Sequence, residues 1–189
     1  MIKLIVLDRD GALGQVPEDF VHTAEDWAPQ PGALEAVARL NHGGWRVVIA
    51  SNQSGIGRGL FDIATLNAIH ARMHKLLAGA GGRVDAVFFC PHAPEDDCNC
   101  RKPLPGLYHQ IAERYGVPIA GVPAAGDSLR DVQAAAAAGC EPHLLLSGQL
   151  RGCRDGQPLP ELPAGTRVHA DLAAFAEFIL ARGAEPDKT

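Results

Sequence analysis

The first apolar run of the chain, "LIVLDRDG", ends in two carboxylates, Asp8 and Asp10. Side chains two apart on an extended segment point to the same side. Both acids therefore face one small space, where like charges repel and a cation is called for. A carboxylate is also a nucleophile toward phosphorus, forming an aspartyl phosphate. Such a transfer needs positive charge on the phosphoryl oxygens and a proton for the leaving oxygen. Asp8 as nucleophile and Asp10 as general acid and base divide those tasks. Further along, the Ser51 hydroxyl and the Asn52 backbone amide can donate to phosphoryl oxygens, and Lys102 can supply a fixed cation. Mg²⁺ prefers hard oxygen ligands. Asp8, the backbone carbonyl of Asp10, and Asp127 offer three.

A second constellation is soft. Cys90, His92, Cys98 and Cys100 fall within eleven residues, in "CPHAPEDDCNC". Four such ligands suit tetrahedral Zn²⁺ with no open position, so the site is structural. The loop runs directly into Arg101 and Lys102, and zinc there would fix the backbone that aims both cations. Arg101 is a candidate for a substrate phosphate. Gln53 and Arg58, in the glycine-rich "NQSGIGRGL", are weaker candidates of the same kind. His70 and His74, four apart on a helix, lack a third ligand and read as a solvated face. Asp131 reads as a partner on its own helix face and not as a ligand. Cys140 and Cys153 read as ordinary thiols.

Strands and helices must position these groups. Lys3–Asp8, Arg46–Ser51, Val84–Cys90, Gly121–Asp127 and "PHLLLS" read as buried strands, with "TRVHA" as a short last one. Helices are predicted from Pro31 to a stop at Gly43, from a cap at Asp62, from Pro105 to Gly116, from Ser128 to Gly139, and from a cap at Asp171 to about Arg182. Leu66, Ile69, Met73, Leu76 and Leu77 form the stripe of the second helix. Residues 14–30 and 148–165 read as loops. Alternating strands and helices imply a three-layer, Rossmann-like α/β fold: a parallel sheet with helices on both faces. In such sheets ligands sit at the carboxyl ends of the strands. Asp8/Asp10, Ser51/Asn52, the Cys/His loop and Asp127 all lie at such ends.

The chain has 189 residues, 47% apolar and 21% charged, and a formal net charge of -5. That fits one domain, 1–189. The charge disfavours a nucleic-acid partner held by bulk electrostatics. No apolar run approaches the roughly 20 residues needed to span a bilayer, and the N-terminus lacks a signal-peptide pattern. Five cysteines, three clustered, argue for a metal in a reducing compartment. The expectation is a cytoplasmic monomer without membrane partners.

Taken in order, "DRDG", "SNQSG", "CRKPLPG" and "GDSLRD" resemble the four motifs of the haloacid dehalogenase superfamily of phosphotransferases. The resemblance covers roughly residues 3–147. It is closer to the bacterial heptose 1,7-bisphosphate 7-phosphatase family, with histidinol-phosphate phosphatases as near relatives sharing the zinc-loop pattern. It implies a Rossmann-like domain, Mg²⁺, an aspartyl-phosphate intermediate and a sugar-phosphate substrate from surface-polysaccharide (lipopolysaccharide) precursor synthesis. By position it makes Asp8 the nucleophile, Asp10 the acid/base, Ser51 and Lys102 phosphate binders, Asp127 a metal ligand, and Cys90, His92, Cys98 and Cys100 the zinc ligands. Three positions depart from the family pattern. Gly14 stands where Asn is frequent, Ser51 where Thr is frequent, and Ser128 where many members carry Lys, whose charge Arg130 could replace. About 40 residues separate Asp10 from Ser51 and about 50 separate Ser51 from Lys102. Both intervals are used by predicted elements, so no large cap domain is expected.

The main alternative is a histidinol-phosphate phosphatase. A phosphoaccepting receiver would share the sheet, an aspartyl phosphate and a lysine, but Asp10 and the zinc loop serve no purpose there. A zinc-binding module without activity would not need Asp8, Asp10, Lys102 and Asp127 together.

Overall fold

A computed structural model describes residues 2–16, 21 and 23–183. Pro17 and the rest of 17–20, with His22, belong to the predicted 14–30 loop but lie outside the described residues.

Leu4–Leu7 (β1) is buried at all four positions. It pairs in parallel with Arg46–Asn52 (β2) on one side and Pro123–Gly126 (β4) on the other. Ala86–Cys90 (β3) extends the sheet beyond β2; Glu141–Leu145 (β5) and Arg167–His169 (β6) extend it beyond β4. The order is β3-β2-β1-β4-β5-β6, all parallel. The chain reverses direction of travel between β1 and β4, and this switch point is where open α/β sheets bind ligands.

Side-chain alternation splits β1 between two cores. Ile5 and Leu7 join Val47 and Ile49 beneath Ala33–His42 (α1), Ile63–Gly79 (α3) and Leu172–Gly183 (α7). Leu4 and Val6 join Val48 and Ala50 beneath Gly106–Tyr115 (α4) and Leu129–Ala137 (α5). The three predicted layers are present. The connections after β1, β2 and β3 contain helices and the Cys/His loop, and no inserted cap domain lies among the described residues.

Local signals place most boundaries. Asp62 accepts from the Thr65 amide at 2.8 Å and caps α3; Asp171 does the same for Ala174 at 2.9 Å and starts α7. Leu66, Ile69, Met73 and Leu77 are the buried stripe of α3. Gly116 (φ 62°) ends α4 in the left-handed region. The expected stop at Gly43 moves by one residue. Gly43 keeps φ -75°, and Gly44 takes the left-handed turn at φ 82°. Two single-turn helices, Ser54–Gly57 (α2) and Arg151–Arg154 (α6), lie in segments read as turn and loop. Each is too short to show a period in sequence.

Candidate active site

Alternation continues past the end of β1. Asp8 follows Leu4 and Val6 toward the α4/α5 face, and Arg9 follows Ile5 and Leu7 toward the α1/α3 face. Lys102 awaits Asp8. Its Nζ donates to Asp8 Oδ1 at 2.8 Å and to the Ala50 carbonyl at 2.8 Å, and it pairs with Asp131 Oδ1 at 2.5 Å. Lys102 is 3% exposed. Asp131 is brought there by the start of α5: Ser128 is the N-cap, and its amide and hydroxyl donate to Asp131 Oδ2 at 3.0 and 2.6 Å. The departure at Ser128 thus has a structural use, as one half of a capping box.

Asp8, Asp127 and Asp131 each offer an oxygen, all within 4.8 Å of one another. Asp127 Oδ2 also accepts from the Gln149 amide at 2.6 Å. A methyl group on Gly11 would stand 2.0 Å from Asp127 Oδ2, so glycine at 11 leaves this carboxylate its place; its φ is 92°. Burial pushes the Asp8 carboxyl well above the usual carboxylate range, against the pull of Lys102 and with the help of Asp131, Asp127 and Asp10. Burial, then Asp131, raises Asp127 to about 7. Lys102 is shifted upward: Asp131 and Asp8 outweigh the cost of its burial. Three carboxylates thus share one ammonium. An all-oxygen, acid-rich set with a deficit of positive charge fits a hard divalent cation such as Mg²⁺. Asp131, read from sequence as a helix-face partner, belongs to this cluster. The signal available was the Ser-x-x-Asp spacing of the capping box, which fixes where residue 131 points.

Asp10 stands apart from the cluster. Arg9, 1% exposed, donates through Nε to Asp10 Oδ1 at 2.9 Å and through Nη2 to Oδ2 at 2.8 Å. Gln53 Nε2 donates to Asp10 Oδ2 at 3.1 Å and to Ser51 Oγ at 2.7 Å, while its Oε1 accepts from Arg9 Nη2 at 3.1 Å. A guanidinium only donates, so the Gln53 oxygen must face Arg9 and its nitrogen must face Ser51. Ser51 Oγ is thereby an acceptor, and its own proton remains to be donated elsewhere. Gln53, proposed from sequence as a substrate contact, is a buried bridge among Ser51, Asp10 and Arg9. His70 is not on a solvated face: it sits 3.2 Å from Arg9 Nη1. His74 is exposed, as expected.

The Asn52 side chain donates to the Lys102 carbonyl at 3.1 Å and accepts from the Lys102 amide at 3.0 Å. It ties the lysine segment to the end of β2 as a neighbouring strand would. Asp8, Asp10, Ser51, Asn52 and Lys102 line one cavity of ≈ 100 Å³. It adjoins a second of ≈ 330 Å³, lined among others by Gln53, Arg58, Arg101 and Arg130. Arg101 Nη1 is buried with no hydrogen-bond partner.

Cys90, His92, Cys98 and Cys100 converge, with ligand atoms within 4.8 Å of one another. Cys90 Sγ lies 3.4 Å from His92 Nδ1 and 3.8 Å from Cys98 Sγ; His92 Nδ1 lies 3.3 Å from Cys100 Sγ. No disulfide joins any of these thiols. A compact set of three sulfurs and one imidazole fits Zn²⁺. The loop rests on the glycine-rich turn: the Gly57 amide donates to the Pro91 carbonyl at 2.8 Å, and a Cβ at Gly57 would stand 2.5 Å from the Ala93 nitrogen.

Comparison with known proteins agrees with this geometry. A haloacid dehalogenase-like hydrolase family model matches residues 3–139. The chain is 58% identical over 179 residues to the D-glycero-beta-D-manno-heptose-1,7-bisphosphate 7-phosphatase of Bordetella bronchiseptica, covering 95% of this chain and 98% of that one. It is 47% identical to the Pseudomonas aeruginosa enzyme of that name, covering 94% and 98%. A crystal structure of the D,D-heptose 1,7-bisphosphate phosphatase from B. bronchiseptica, complexed with magnesium and phosphate, superposes with a TM-score of 0.90 at 57% identity, covering 96% of this chain and 99% of that one. The chain belongs to the haloacid dehalogenase-like hydrolases, in the same family as the D-glycero-beta-D-manno-heptose-1,7-bisphosphate 7-phosphatases.

Proposed function

We propose that the chain removes the C7 phosphate of D-glycero-beta-D-manno-heptose 1,7-bisphosphate, a step toward surface-polysaccharide precursors. The observation that carries this reading is the pair of adjoining cavities. The smaller holds Asp8, Asp10 and Lys102 and takes the phosphate to be cleaved. The larger presents Arg58, Arg101 and Arg130, and the unsatisfied Nη1 of Arg101 asks for an anion. A sugar carrying two phosphates meets both needs.

In the first step the Asp8 carboxylate attacks phosphorus, and the bond to the sugar oxygen breaks as Asp10 delivers a proton to it. Lys102 keeps a positive charge beside the attacking oxygen, and Ser51 donates its free proton to a phosphoryl oxygen. In the second step Asp10 takes a proton from water, which attacks the phosphorus of the aspartyl phosphate and releases Asp8. Asp8, Asp127, Asp131 and the Asp10 carbonyl would hold Mg²⁺, which when bound neutralises charge on the acids and the phosphate. Cys90, His92, Cys98 and Cys100 would hold a structural Zn²⁺ that keeps Lys102 and Arg101 in place.

We read the chain as one capless phosphatase domain and as a monomer. No helix of the described residues is long and apolar enough to cross a membrane. A zinc site built on thiolates favours the reducing cytoplasm.

The test is phosphate release with Mg²⁺ from both anomers of heptose 1,7-bisphosphate, histidinol phosphate and fructose 1,6-bisphosphate, with Asp8→Asn as the blank. A preference of about a hundredfold in kcat/KM for the beta heptose, about 2.7 kcal/mol of discrimination, is expected. A higher rate on histidinol phosphate, or flat rates throughout, would remove the heptose assignment.

A further inference from the structure

We infer that His70, acting through Arg9, is a positioning residue for the proton transfer made by Asp10. The inference rests on the reading of Asp10 as the general acid.

Arg9 lies wholly inside the protein, and such a charge keeps its place only if its donors are met. Asp10 meets two of them and Gln53 a third. The fourth contact, Nη1 to His70 Nε2 at 3.2 Å, comes from α3, an element that touches neither phosphate cavity through this residue. Because guanidinium has no acceptor, His70 Nε2 must accept, and the ring proton sits on Nδ1. The neutral ring this requires is the one the surroundings favour, since burial, Arg9 and His74 lower the His70 pKa to about 4. His70 thus sets where the guanidinium ends, and the guanidinium sets the plane of the Asp10 carboxyl.

The same bonds distinguish the two oxygens of Asp10. Oδ2 accepts from both Arg9 and Gln53, which uses its two lone pairs; Oδ1 accepts from Arg9 alone. Oδ1 is therefore the oxygen that carries the proton to the leaving group. Loosening Arg9 would let the carboxyl rotate and misplace that proton.

The experiment compares His70→Leu, His70→Gln and Asp10→Asn on two esters, the heptose bisphosphate and p-nitrophenyl phosphate, by kcat/KM, with melting temperature recorded for each. The aryl oxygen leaves without a proton and the sugar oxygen does not. His70→Leu is expected to lose about tenfold on the sugar ester and less than about twofold on the aryl ester. His70→Gln, whose carbonyl can accept from Arg9, should recover most of the loss. Equal losses on both esters, or no recovery in a His70→Gln protein that melts like wild type, would overturn the role of His70. If Asp10→Asn itself loses both esters equally, the acid reading of Asp10 fails instead.

Discussion

Lys102 Nζ reaches Asp8 Oδ1 at 2.8 Å across 94 residues of sequence. It is the ammonium in a cluster that also holds Asp127 and Asp131. Removing either end of this pair should have opposite effects on stability. Burial and the neighbouring acids raise the Asp8 carboxyl above its value in an unfolded chain. At neutral pH its ionised form therefore opposes folding in the metal-free protein. Asp8→Asn should abolish turnover yet raise the melting temperature in magnesium-free buffer. Lys102→Met leaves the three clustered acids uncompensated, at a cost of about 3–5 kcal/mol, or on the order of 10 °C for a chain of this size. Thermal melts of both variants check this; a lower melting temperature for both would mean that the cluster is not short of positive charge.

The Cys/His loop should hold the lysine segment as well as itself. Its backbone lies on Gly57, and its end is tied to β2 through the two Asn52–Lys102 bonds. Loss of a metal is among the changes that cost about 3 kcal/mol or more. Cys98→Ser should lose zinc, melt about 6 °C lower or worse, and lose kcat as Lys102 drifts from Asp8. Metal content, melting and activity are measured on one preparation. A variant that lacks zinc but melts and turns over like wild type would show the loop to be dispensable.

The elements that carry the site were legible because their signals are local: apolar runs ending in Asp8, Ser51, Cys90 and Asp127, a capping aspartate at 62, a left-handed glycine at 116. Asp8 and Asp127 follow from the strand ends, and Lys102 from its place at the end of the Cys/His loop. Contacts that depend on what another element brings were not legible. The inward turn of Arg9 obeys the alternation of β1, but only the placement of α3 reveals His70 opposite it. Gln53 lines the larger cavity, but its three partners in the fold, Arg9, Asp10 and Ser51, come from other positions and could not be read from its own segment. Asp131 lies between these cases, since the capping box that aims it is written in "SLRD".

Gly14 is explained by Trp27. A Cβ at position 14 would stand 2.5 Å from Trp27 Nε1 and 2.9 Å from Cε2, and the indole is fully buried. The loop keeps its order through the backbone, with the Gly14 amide donating to the Arg9 carbonyl at 2.7 Å. Gly14→Asn, the residue frequent in the family, should therefore destabilise by about 1–3 kcal/mol through overpacking. In the double variant with Trp27→Phe, which deletes Nε1, the loss should be less than the sum of the singles, by about 0.5–3 kcal/mol. Denaturant unfolding of the four proteins gives the coupling; strict additivity would mean that the indole does not dictate glycine here.

A histidine pair outside the site predicts the acid limb of stability. His143 Nδ1 lies 2.9 Å from His169 Nε2, enclosed by Phe175 and Phe178, with Glu141, Arg167 and Arg182 as the charged neighbours. Burial, then His169, lowers the His143 pKa to about 4, and Glu141 only partly opposes this. Its Nε2 has no hydrogen-bond partner, and the carboxylate near it, Glu141 Oε1 at 3.6 Å, is already held by Arg167 and Arg182. The unfolded chain takes up that proton first, near its ordinary value of about 6.5. The stability from this residue is full above that pH and falls as pH drops toward 4, by at most about 3 kcal/mol. His143→Leu, apolar among the phenylalanines, removes this titration but leaves His169 free to protonate toward Glu141. Its unfolding free energy should change less than that of wild type between pH 6.5 and 4.5. Parallel profiles for the two proteins would assign the acid limb to other groups, the zinc ligands first among them.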